Sequence, residues 1–459
     1  SGLVRATTSV RANGSIRLLA RDGARVDQIN NQTRLIASHT GNLVFGEGSV
    51  TEIVPEPDDS TLAVDKQELE PPLVEGTGKT VELQTGALIR APSGVVALSA
   101  VENPDPEIAA GPATGRNDSR IRIASGAVID VSGTTSTVLP ASRNLVEVEL
   151  RGDELRDAPL QRNGPLRNET IVVDVRKGTP LADISGALNT LQRSVDERNA
   201  TGGRISLRSE GDVSVNSGAT LDVSGGFVTY DEGYIETSKL VTSEGRLVDI
   251  SKADPAIRYD RIANTITVKS EKWGTSKTFD IFGPVPLAQF SPSYREGKDA
   301  GTLSVVANGR ALLEGNFIGR RTRGPFQREL PGDLAGPGFT RPAVQMPRGG
   351  QLLLGNPDQI GELIANLQAP DVLFQAGSIA ATNSVSEDPT DDAPLILSTD
   401  WFGLDRFSEL HIYSNGLIKV PEATRLDLGS GGELELVGNK VQINGEIIAP
   451  SGSVSAKTQ

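Results

Sequence analysis

The sequence contains no cysteine, one methionine and two histidines among 459 residues. Without cysteine the chain forms no disulfide, no thiolate nucleophile and no Cys-rich zinc site. The absence also fits export through an oxidising compartment. A Ser-His-Asp arrangement would have to use His39 or His411, and we expect both to be surface residues. Because the only methionine is Met346, we expect a fragment or processed product, with any signal peptide outside it.

Aromatic residues and positive charge are also scarce. Aromatics make up 4% of the chain, and 59 acidic residues against 45 basic ones leave a formal net charge of −14. Phosphate binding needs clustered Lys and Arg, so this balance argues against a nucleic-acid partner. No apolar run approaches the ~18–20 residues of a membrane-spanning helix. With glycine counted, the apolar content is that of ordinary folded proteins, so the chain can bury a core.

Internal repeats are the dominant positive feature. Gly126–Gly133 recurs as Gly218–Gly225 with six of eight positions identical, and Ala91–Gly94 recurs as Ala449–Gly452. Each repeat joins a short apolar alternation, which is typical of a strand, to a turn of small or polar residues. From Leu410 to Val454 such alternations follow one another every six to nine residues.

Two all-β architectures fit this spacing. One is an antiparallel sandwich of hairpins; the other is a parallel β-helix with three short strands in each coil of ~20–24 residues. The scarcity of aromatics, the near-identical octapeptides and the lack of long connections after Leu410 favour the β-helix. We therefore predict an all-β solenoid with loop and small α/β insertions.

Strand-rich and irregular segments alternate along the chain. We expect β-helix coils in four segments: 1–133, 203–225, 300–315 and 349–459. We expect acidic loops within the first of them at 52–78 and 101–118. Three interruptions separate the coils: insertions at 134–202 and 226–299, and an Arg/Gly/Pro loop at 316–348.

The insertion at 134–202 has its own secondary-structure signals. Apolar alternation predicts two strands around Val146–Leu150 and Ile171–Val175. A helix is predicted at 179–198, because Thr179 and Pro180 suit its start and apolar residues follow at helical spacing. By the same signals a second short helix is predicted at 357–368, within the last coil segment.

Several stretches resemble the filamentous haemagglutinin family of large bacterial exoproteins. They are Gly202–Leu207, Gly218–Gly225, Tyr230–Ile235, Asp249–Pro255 with Tyr259, and Phe402–Leu410. The resemblance implies a right-handed β-helix, two-partner export through an outer-membrane pore protein, and adhesion or biofilm roles outside the bacterial outer membrane. The family's Asn-Pro-Asn-Gly and Asn-x-x-Gly-Leu motifs are absent. We therefore expect a region downstream of the secretion domain.

Catalysis on such a scaffold would use carboxylates. Glycosidases need two of them ~5–9.5 Å apart. Asp130 and Asp222 occupy the same repeat position, and stacked coils would place them about 4.8 Å apart. The alternative is that each is a solvated residue beside a turn.

Metal binding has one weak candidate. Glu387, Asp388, Asp391 and Asp392 could hold a cation loosely. The calcium-binding nonapeptide and the EF-hand loop are both absent. We expect no cofactor.

Two binding candidates remain. Arg151-Gly152-Asp153 is a tripeptide that integrins recognise, at the edge of an insertion. Arg320, Arg321 and Arg323 could bind an acidic glycan or an acidic neighbouring chain, or could fold back onto acidic residues of their own chain.

The function expected from these features is that of a secreted, non-enzymatic adhesin segment, with a rod-like shaft and projecting binding insertions. Its partners would be the pore protein during export and a host-cell, glycan or matrix receptor. The alternatives are a carbohydrate-active enzyme on the same scaffold and a filament subunit that associates end to end.

Overall fold

The computed structural model describes twelve stretches of the chain: residues 2–29, 32–57, 59, 61–64, 70–104, 117–263, 266–270, 275–279, 288–327, 346–355, 371–379 and 393–458. Strands dominate these stretches, and the α-helices in them are single turns. The predicted all-β class is confirmed.

Three sheets whose strands pair in parallel form what we call the framework. The six-stranded sheet contains Leu3–Thr8, Val50–Pro55, Leu88–Arg90, Val128–Asp130, Thr220–Asp222 and Asn316–Ile318. The five-stranded sheet contains Asn42–Phe45, Thr80–Leu83, Arg120–Ile123, Asp212–Val215 and Ala311–Leu313. The eleven-stranded sheet contains Ser15–Leu19, Leu73–Gly78, Val95–Ala100, Arg204–Ser209, Thr302–Ala307, Gly350–Leu354, Val372–Gln375, Leu395–Ser398, Phe407–Val420, Glu433–Ile443 and Ser453–Thr458.

The chain passes through the three sheets in one repeating order. From Ser15 to Ile318 it visits the eleven-stranded, the five-stranded and then the six-stranded sheet, five times in succession. Equivalent strands of successive rounds are hydrogen-bonded neighbours, as when Val95–Ala100 pairs in register with Arg204–Ser209. The repeats in the sequence are therefore positions that stack on one another. A further parallel pair, Arg425–Asp427 with Glu446–Ile448, lies near the end of the chain.

Along the framework strands, residues that point into the core alternate with residues that point outward. Inward residues from all three sheets join one hydrophobic cluster, and the outward residues between them are partly exposed. Apolar alternation in the sequence predicts nine core residues, of which Ile443 is one. The other eight are at most 1% exposed: Ile121, Ile123, Val213, Val215, Leu221, Val223, Leu434 and Leu436.

The ninth residue, Ile443, is 44% exposed, and its predicted burial is wrong. It pairs with Val420 on one side. Among the described residues, the next strand, Ser453–Thr458, pairs only with Glu433–Gly438 and leaves the end of the Ile443 strand without a neighbour.

The segment 134–202 contributes no strand to the framework. Its strands are Val138–Leu139, Leu145–Glu149, Thr170–Asp174 and Gln192–Arg193, and its helical turns are Ala141–Asn144, Pro159–Arg162, Ser185–Leu188 and Val195–Arg198. The two strands predicted here are present and pair antiparallel.

The single helix predicted at 179–198 is wrong, because two four-residue helices flank a short strand there. Asp183 accepts a hydrogen bond from the Ser185 backbone N–H, and the Thr190 hydroxyl donates to the Ala187 carbonyl. Such local bonds compete with helix propagation. Gln192–Arg193 then pairs with Ala63–Val64, a tertiary contact that no helical pattern reveals.

The segment 226–299 is an antiparallel β-structure. Its strands are Phe227–Tyr230, Gly233–Glu236, Lys239–Thr242, Leu247–Asp249, Tyr259–Ile262, Ile266–Ser270, Thr275–Phe279, Ala288–Ser291 and Tyr294–Gly297. A 3-10 turn, Ile250–Lys252, follows the fourth strand.

Several predicted boundaries are wrong. Both ends of the acidic loop predicted at 52–78 belong instead to framework strands, Val50–Pro55 and Leu73–Gly78. At the first end the acidic Glu52 is compatible with a strand, because it points outward and accepts a hydrogen bond from Arg5. The predicted loop at 316–348 begins with the strand Asn316–Ile318.

One further difference lies near the start of the framework. Within the first predicted coil segment, Arg21–Ile29 and Gln32–Thr40 form an antiparallel hairpin, and His39 is an exposed residue of its second strand. The helix predicted at 357–368 lies outside the described residues.

One framework corner is the place where both insertions leave. In a round without an insertion, the Gly94 N–H donates to the Ala91 carbonyl across a two-residue turn. In the next two rounds the equivalent residues form the same kind of bond, although an insertion lies between them. The Gly203 N–H donates to the Val131 carbonyl at 2.8 Å, and the Gly301 N–H donates to the Val223 carbonyl at 2.7 Å. Each insertion thus leaves and re-enters the framework at a single corner.

Glycine is required at this corner. A Cβ at Gly203 would collide with the carbonyl of Gly94, and a Cβ at Gly301 would collide with that of Gly203. Close backbone approach at the corner therefore explains the Gly-Gly at 202–203.

The packing of the framework core predicts that Leu221 and Ile443 contribute very differently to the free energy of unfolding. Leu221→Ala removes a fully buried side chain and should lower the free energy of unfolding by about 2–5 kcal/mol. Ile443→Ala should change it by less than about 1 kcal/mol, because Ile443 is already half in solvent. Urea unfolding of the two variants checks this, and equal losses would contradict the described core.

Candidate functional site between the two insertions

The two insertions share a hydrophobic core that is separate from the framework core. Val148, Leu155 and Ile171 of the first insertion join Leu240 and Tyr259 of the second in one cluster of buried side chains. Hydrogen bonds cross between them as well. The Val172 N–H donates to the Ser238 hydroxyl at 2.9 Å, and the Gln161 amide donates to the Ile257 carbonyl at 2.6 Å. The insertions therefore form one unit.

A buried ion pair stands beside this unit. The Arg176 and Asp174 side chains are 7% and 0% exposed and meet at 2.8 Å. The Arg176 guanidinium lies 5.0 Å from the ring centre of Tyr294 and 5.4 Å from that of Phe326. It also donates to the Ser291 hydroxyl at 3.1 Å. The pair thus connects the first insertion, the second insertion and the segment after residue 316.

Two stacked tyrosines extend from this pair. The rings of Tyr230 and Tyr294 lie 4.9 Å apart and nearly parallel. The Tyr294 hydroxyl donates to the Asn144 side-chain carbonyl at 2.9 Å. Burial raises the pKa of Tyr294 even though Arg176 opposes the shift, and burial followed by the charge of Glu296 raises the pKa of Tyr230. Both hydroxyls therefore stay protonated at neutral pH.

A pocket opens beside Tyr230, between the insertions. The space in and in front of it is about 700 Å³, part of which is open solvent. The first insertion contributes two thirds of its lining, and the strands at the two ends of the second contribute the rest. The lining residues are Arg143, Asn144, Val175, Leu188, Leu191, Gln192, Arg193, Glu197, Val228, Tyr230, Glu296 and Lys298.

The first of its two carboxylates, Glu197, is positioned by a local motif. Ser194 caps the helix Val195–Arg198, and the Glu197 side chain accepts from the Ser194 N–H at 2.8 Å in a capping box. The Arg143 guanidinium contacts the same carboxylate at 3.1 Å.

The second carboxylate, Glu296, is positioned by a strand. It lies on Tyr294–Gly297, opposite Val228, and is 4% exposed. Lys298 donates to its Oε1 at 2.6 Å. Its Oε2 is buried and has no hydrogen-bond partner among the residues that the structure describes. A buried acceptor without a partner is costly for the folded protein.

Chemically, the pocket combines an apolar wall with a few polar groups that can orient a ligand, which is the usual composition of a small-molecule site. Each carboxylate contacts a cation, Glu197 with Arg143 and Glu296 with Lys298.

The structure aligns Asp130 with Asp222 in neighbouring parallel strands. Each carboxylate, however, accepts from the backbone N–H two residues later, of Ser132 and Ser224 respectively. Asp130 also lies 3.9 Å from the Arg90 guanidinium. These contacts are those of residues that shape a turn on an outward strand face.

The tripeptide Arg151-Gly152-Asp153 forms an exposed turn after the strand Leu145–Glu149. Its arginine contacts Glu149 at 2.5 Å, a hydrogen bond that raises the pKa of Arg151 and lowers that of Glu149. The arginine is therefore engaged within its own chain.

The three arginines considered for binding an acidic partner differ in their surroundings. Arg320 is exposed, whereas Arg321 and Arg323 contact the same carboxylate, Asp405, at 3.4 and 2.9 Å. Arg321 is buried and also donates to the Pro347 carbonyl. Two of the three arginines thus fold back onto their own chain.

His411 lies on a strand 3.8 Å from Glu433 and 3.7 Å from Glu435. The residues proposed as cation ligands, Glu387, Asp388, Asp391 and Asp392, lie outside the described residues. Within the described stretches, no group of three or more acidic or histidine side chains is arranged to hold a metal ion. In the same stretches no helix is long and apolar enough to cross a membrane.

The sequence analysis missed the pocket residues, among them Arg143, Glu197, Tyr230, Glu296 and Lys298. One signal was available, because Ser194 followed by Glu197 has the spacing of a capping box. It indicates a helix start, however, and not a binding site. The meeting of two segments about 100 residues apart leaves no local signal in the sequence.

No family model, curated protein or solved structure matches this chain. The resemblance to filamentous haemagglutinins therefore stays a prediction.

The buried ion pair predicts a large effect of a conservative change. Asp174→Asn leaves the Arg176 charge buried without its partner, and should lower the free energy of unfolding by about 3–5 kcal/mol. The matched control is Glu244→Gln, whose partner Arg246 is exposed. It should cost less than about 1 kcal/mol. Urea unfolding measures both, and similar losses would show that the buried pair is not important for folding.

Asp249 makes the stability of the second insertion dependent on pH. Burial raises its pKa, but hydrogen bonds from Ser251, Lys239 and Thr237 outweigh burial and hold the pKa below its ordinary value. A lowered folded-state pKa gives stability that is present above the unfolded value of about 4 and is lost as pH falls below it.

Asp249→Asn should therefore flatten the acid side of the stability profile. We expect the wild type to lose about 1 kcal/mol more than this variant between pH 6 and pH 3. Urea unfolding at several pH values measures the difference, with the exposed Asp231→Asn as control. Parallel profiles for wild type and Asp249→Asn would contradict the assignment.

Proposed function

We propose that this chain is a segment of a secreted exoprotein of adhesin type, exposed on the bacterial surface. In this proposal the framework is a right-handed parallel β-helix that acts as a shaft, and the two insertions form a binding unit on its side. The role is binding without catalysis.

The order of the strands supports the β-helix. Three parallel sheets that are visited cyclically around one shared core are what a solenoid of three-strand coils requires. Each further coil would lengthen such a shaft by about 4.8 Å. A shaft of this kind holds a binding surface away from the cell.

One observation carries the binding role. The two insertions leave neighbouring coils at one corner, fold around a core of their own and enclose a pocket whose lining comes from both. The described strands of this unit lie outside the three framework sheets. Binding functions are commonly placed on such segments, held by a rigid scaffold.

The proposed partners follow from the resemblance and from the charge. During export the partner would be an outer-membrane pore protein, and afterwards a glycan, matrix or host-cell receptor. The acidic balance of the chain disfavours nucleic acid.

A second candidate is a carbohydrate-active enzyme. It is favoured by the presence of two glutamates, Glu197 and Glu296, in one pocket, and such enzymes use a pair of carboxylates. Release of reducing ends from acidic polysaccharides by the wild type, abolished in Glu197→Gln, would favour it over binding alone.

A third candidate is a filament subunit that associates end to end. The strands Leu3–Thr8 and Ser453–Thr458 each have one hydrogen-bonded neighbour in the described framework, and such open edges can pair with another chain. Sedimentation across a concentration series distinguishes a filament from a monomer.

A deletion that leaves the framework corner intact tests the adhesin proposal. Removal of residues 134–202 leaves Ser132-Gly133 between Val131 and Gly203, and removal of 226–300 leaves Ser224-Gly225 between Val223 and Gly301. Both reproduce the two-residue turn between Ala91 and Gly94. The double deletion should keep its β-sheet circular dichroism.

The readout is binding to epithelial cells and to immobilised extracellular matrix. We expect the whole chain to bind and the double deletion to lose that binding. Equal binding by both proteins, or no binding by the whole chain, would overturn the proposal.

A further inference from the structure

One ribbon of the second insertion turns aromatic side chains to solvent. Its strands, Gly233–Glu236 and Ala288–Ser291, pair antiparallel with Tyr234 directly opposite Phe290. These two residues are 75% and 55% exposed, whereas Ile235, on the other face of the ribbon, is buried. An antiparallel sheet usually turns polar residues to water, and a large exposed apolar patch is the informative exception.

The two rings pack against each other but remain accessible. Their centres lie 5.6 Å apart and their planes meet at 64°, which is an edge-to-face arrangement. Such a cross-strand pair stabilises the ribbon, and this explains why the rings meet. It does not use the ring surface that remains in solvent, and in a chain with only 4% aromatic residues that surface is a candidate interface.

Two carboxylates lie beside the rings. Glu236 follows Tyr234 by two residues in the same strand, so it lies on the same face. Glu232 precedes Tyr234 by two residues, in the connection that leads into the strand. Both side chains are exposed, and neither has an ion pair or a hydrogen bond among the described residues. We call the two rings and these two carboxylates the aromatic–acidic face.

Every group of the aromatic–acidic face attracts positive charge. The face of an aromatic ring carries negative potential, and a carboxylate is negative as well. An acidic partner would be repelled, and a neutral apolar partner would take the carboxylates out of water without compensation, which is costly. The formal net charge of −14 adds a longer-range attraction for a basic partner.

Arginine matches both components of the face. Its guanidinium is planar, stacks on aromatic rings and pairs with a carboxylate through parallel hydrogen bonds. The chain contains an internal example, because the Arg176 guanidinium lies 2.8 Å from Asp174 and 5.0 Å from the ring centre of Tyr294. We therefore propose that the aromatic–acidic face docks an arginine-bearing segment of a protein partner. The inference rests on the proposed binding role of the insertions and names the partner chemistry of one of their surfaces.

Titration calorimetry on the whole chain tests the inference with a short glycine peptide that carries two arginines four positions apart. This spacing repeats that of Glu232 and Glu236 along the chain. The matched control is the same peptide with citrulline, which keeps the shape of arginine and lacks its charge. We expect saturable binding of the arginine peptide and none of the citrulline peptide.

Two pairs of substitutions separate the contributions of the rings and the carboxylates. Tyr234→Ala with Phe290→Ala keeps the net charge and should weaken peptide binding by about fivefold or more, because the cation–π contacts are lost. Glu232→Gln with Glu236→Gln keeps the rings and should weaken it by about threefold or more, because the ion pairs are lost. Glu47→Gln, which changes an exposed glutamate in a turn between two framework strands, is the charge control and should leave the affinity unchanged.

Thermal unfolding shows which variants are folded, and if the ring variant is not, the carboxylate variant decides. Three results would overturn the inference: no saturable binding of the arginine peptide by the wild type, equal binding of the citrulline peptide, or unchanged affinity in either folded double variant. An unchanged ring variant would mean that the acidic chain attracts the peptide without the aromatic–acidic face. The cell-binding experiment remains separate from this one. Loss of cell binding on deletion together with no peptide binding would reject the partner chemistry and retain the adhesin proposal.

Discussion

The whole arrangement depends on one constraint, which is that equivalent strands of successive rounds pair in register. Register aligns Arg90, Asp130 and Asp222, and so it also aligns the corner that follows them. At that corner the N–H of a glycine donates to the carbonyl of an earlier residue. In the round without an insertion two residues separate the donor from the acceptor, and in the rounds with an insertion about seventy do. The bond holds the two ends of an insertion together, so insertions of about seventy residues are compatible with the framework.

The position of the insertions explains why they pack together. They leave at the same corner of two neighbouring rounds, and neighbouring parallel strands lie about 4.8 Å apart. Their first residues are therefore neighbours as well, and Gly133 donates to Ser224 at 2.8 Å. From this shared origin they bury one common core and leave the pocket beside Tyr230. The binding unit proposed here is thus a consequence of the framework register.

Buried charge has a structural role in this unit. Arg176 and Asp174 form a pair that is almost removed from solvent, and the arginine is further engaged by two aromatic rings and by Ser291. Removal of one partner of such a pair is costly, because the other charge is left buried. The arginine packs against Tyr294, which stacks on Tyr230, so the pair supports one wall of the pocket.

Some features could be predicted from local sequence, because their causes are local. Apolar alternation indicated the buried face of Ile121–Ile123 and Val213–Val215, and the recurring octapeptide indicated that Asp130 and Asp222 occupy equivalent positions. The hairpin Arg21–Thr40 was missed, since its alternation resembles that of framework strands. The helix predicted at 179–198 failed because a strand pairing with Ala63–Val64 interrupts it.

The sequence by itself determined the strand class, the repeating positions and the approximate extent of both insertions, because these depend on spacing between near neighbours. Only the tertiary structure decided that Arg321 and Arg323 contact Asp405, that Ile443 is exposed, and that Glu296 approaches Glu197 and Tyr230 in one pocket. The physical reason is distance along the chain. Packing and charge pairing join residues that are tens to a hundred positions apart, and no short-range pattern specifies which of them meet.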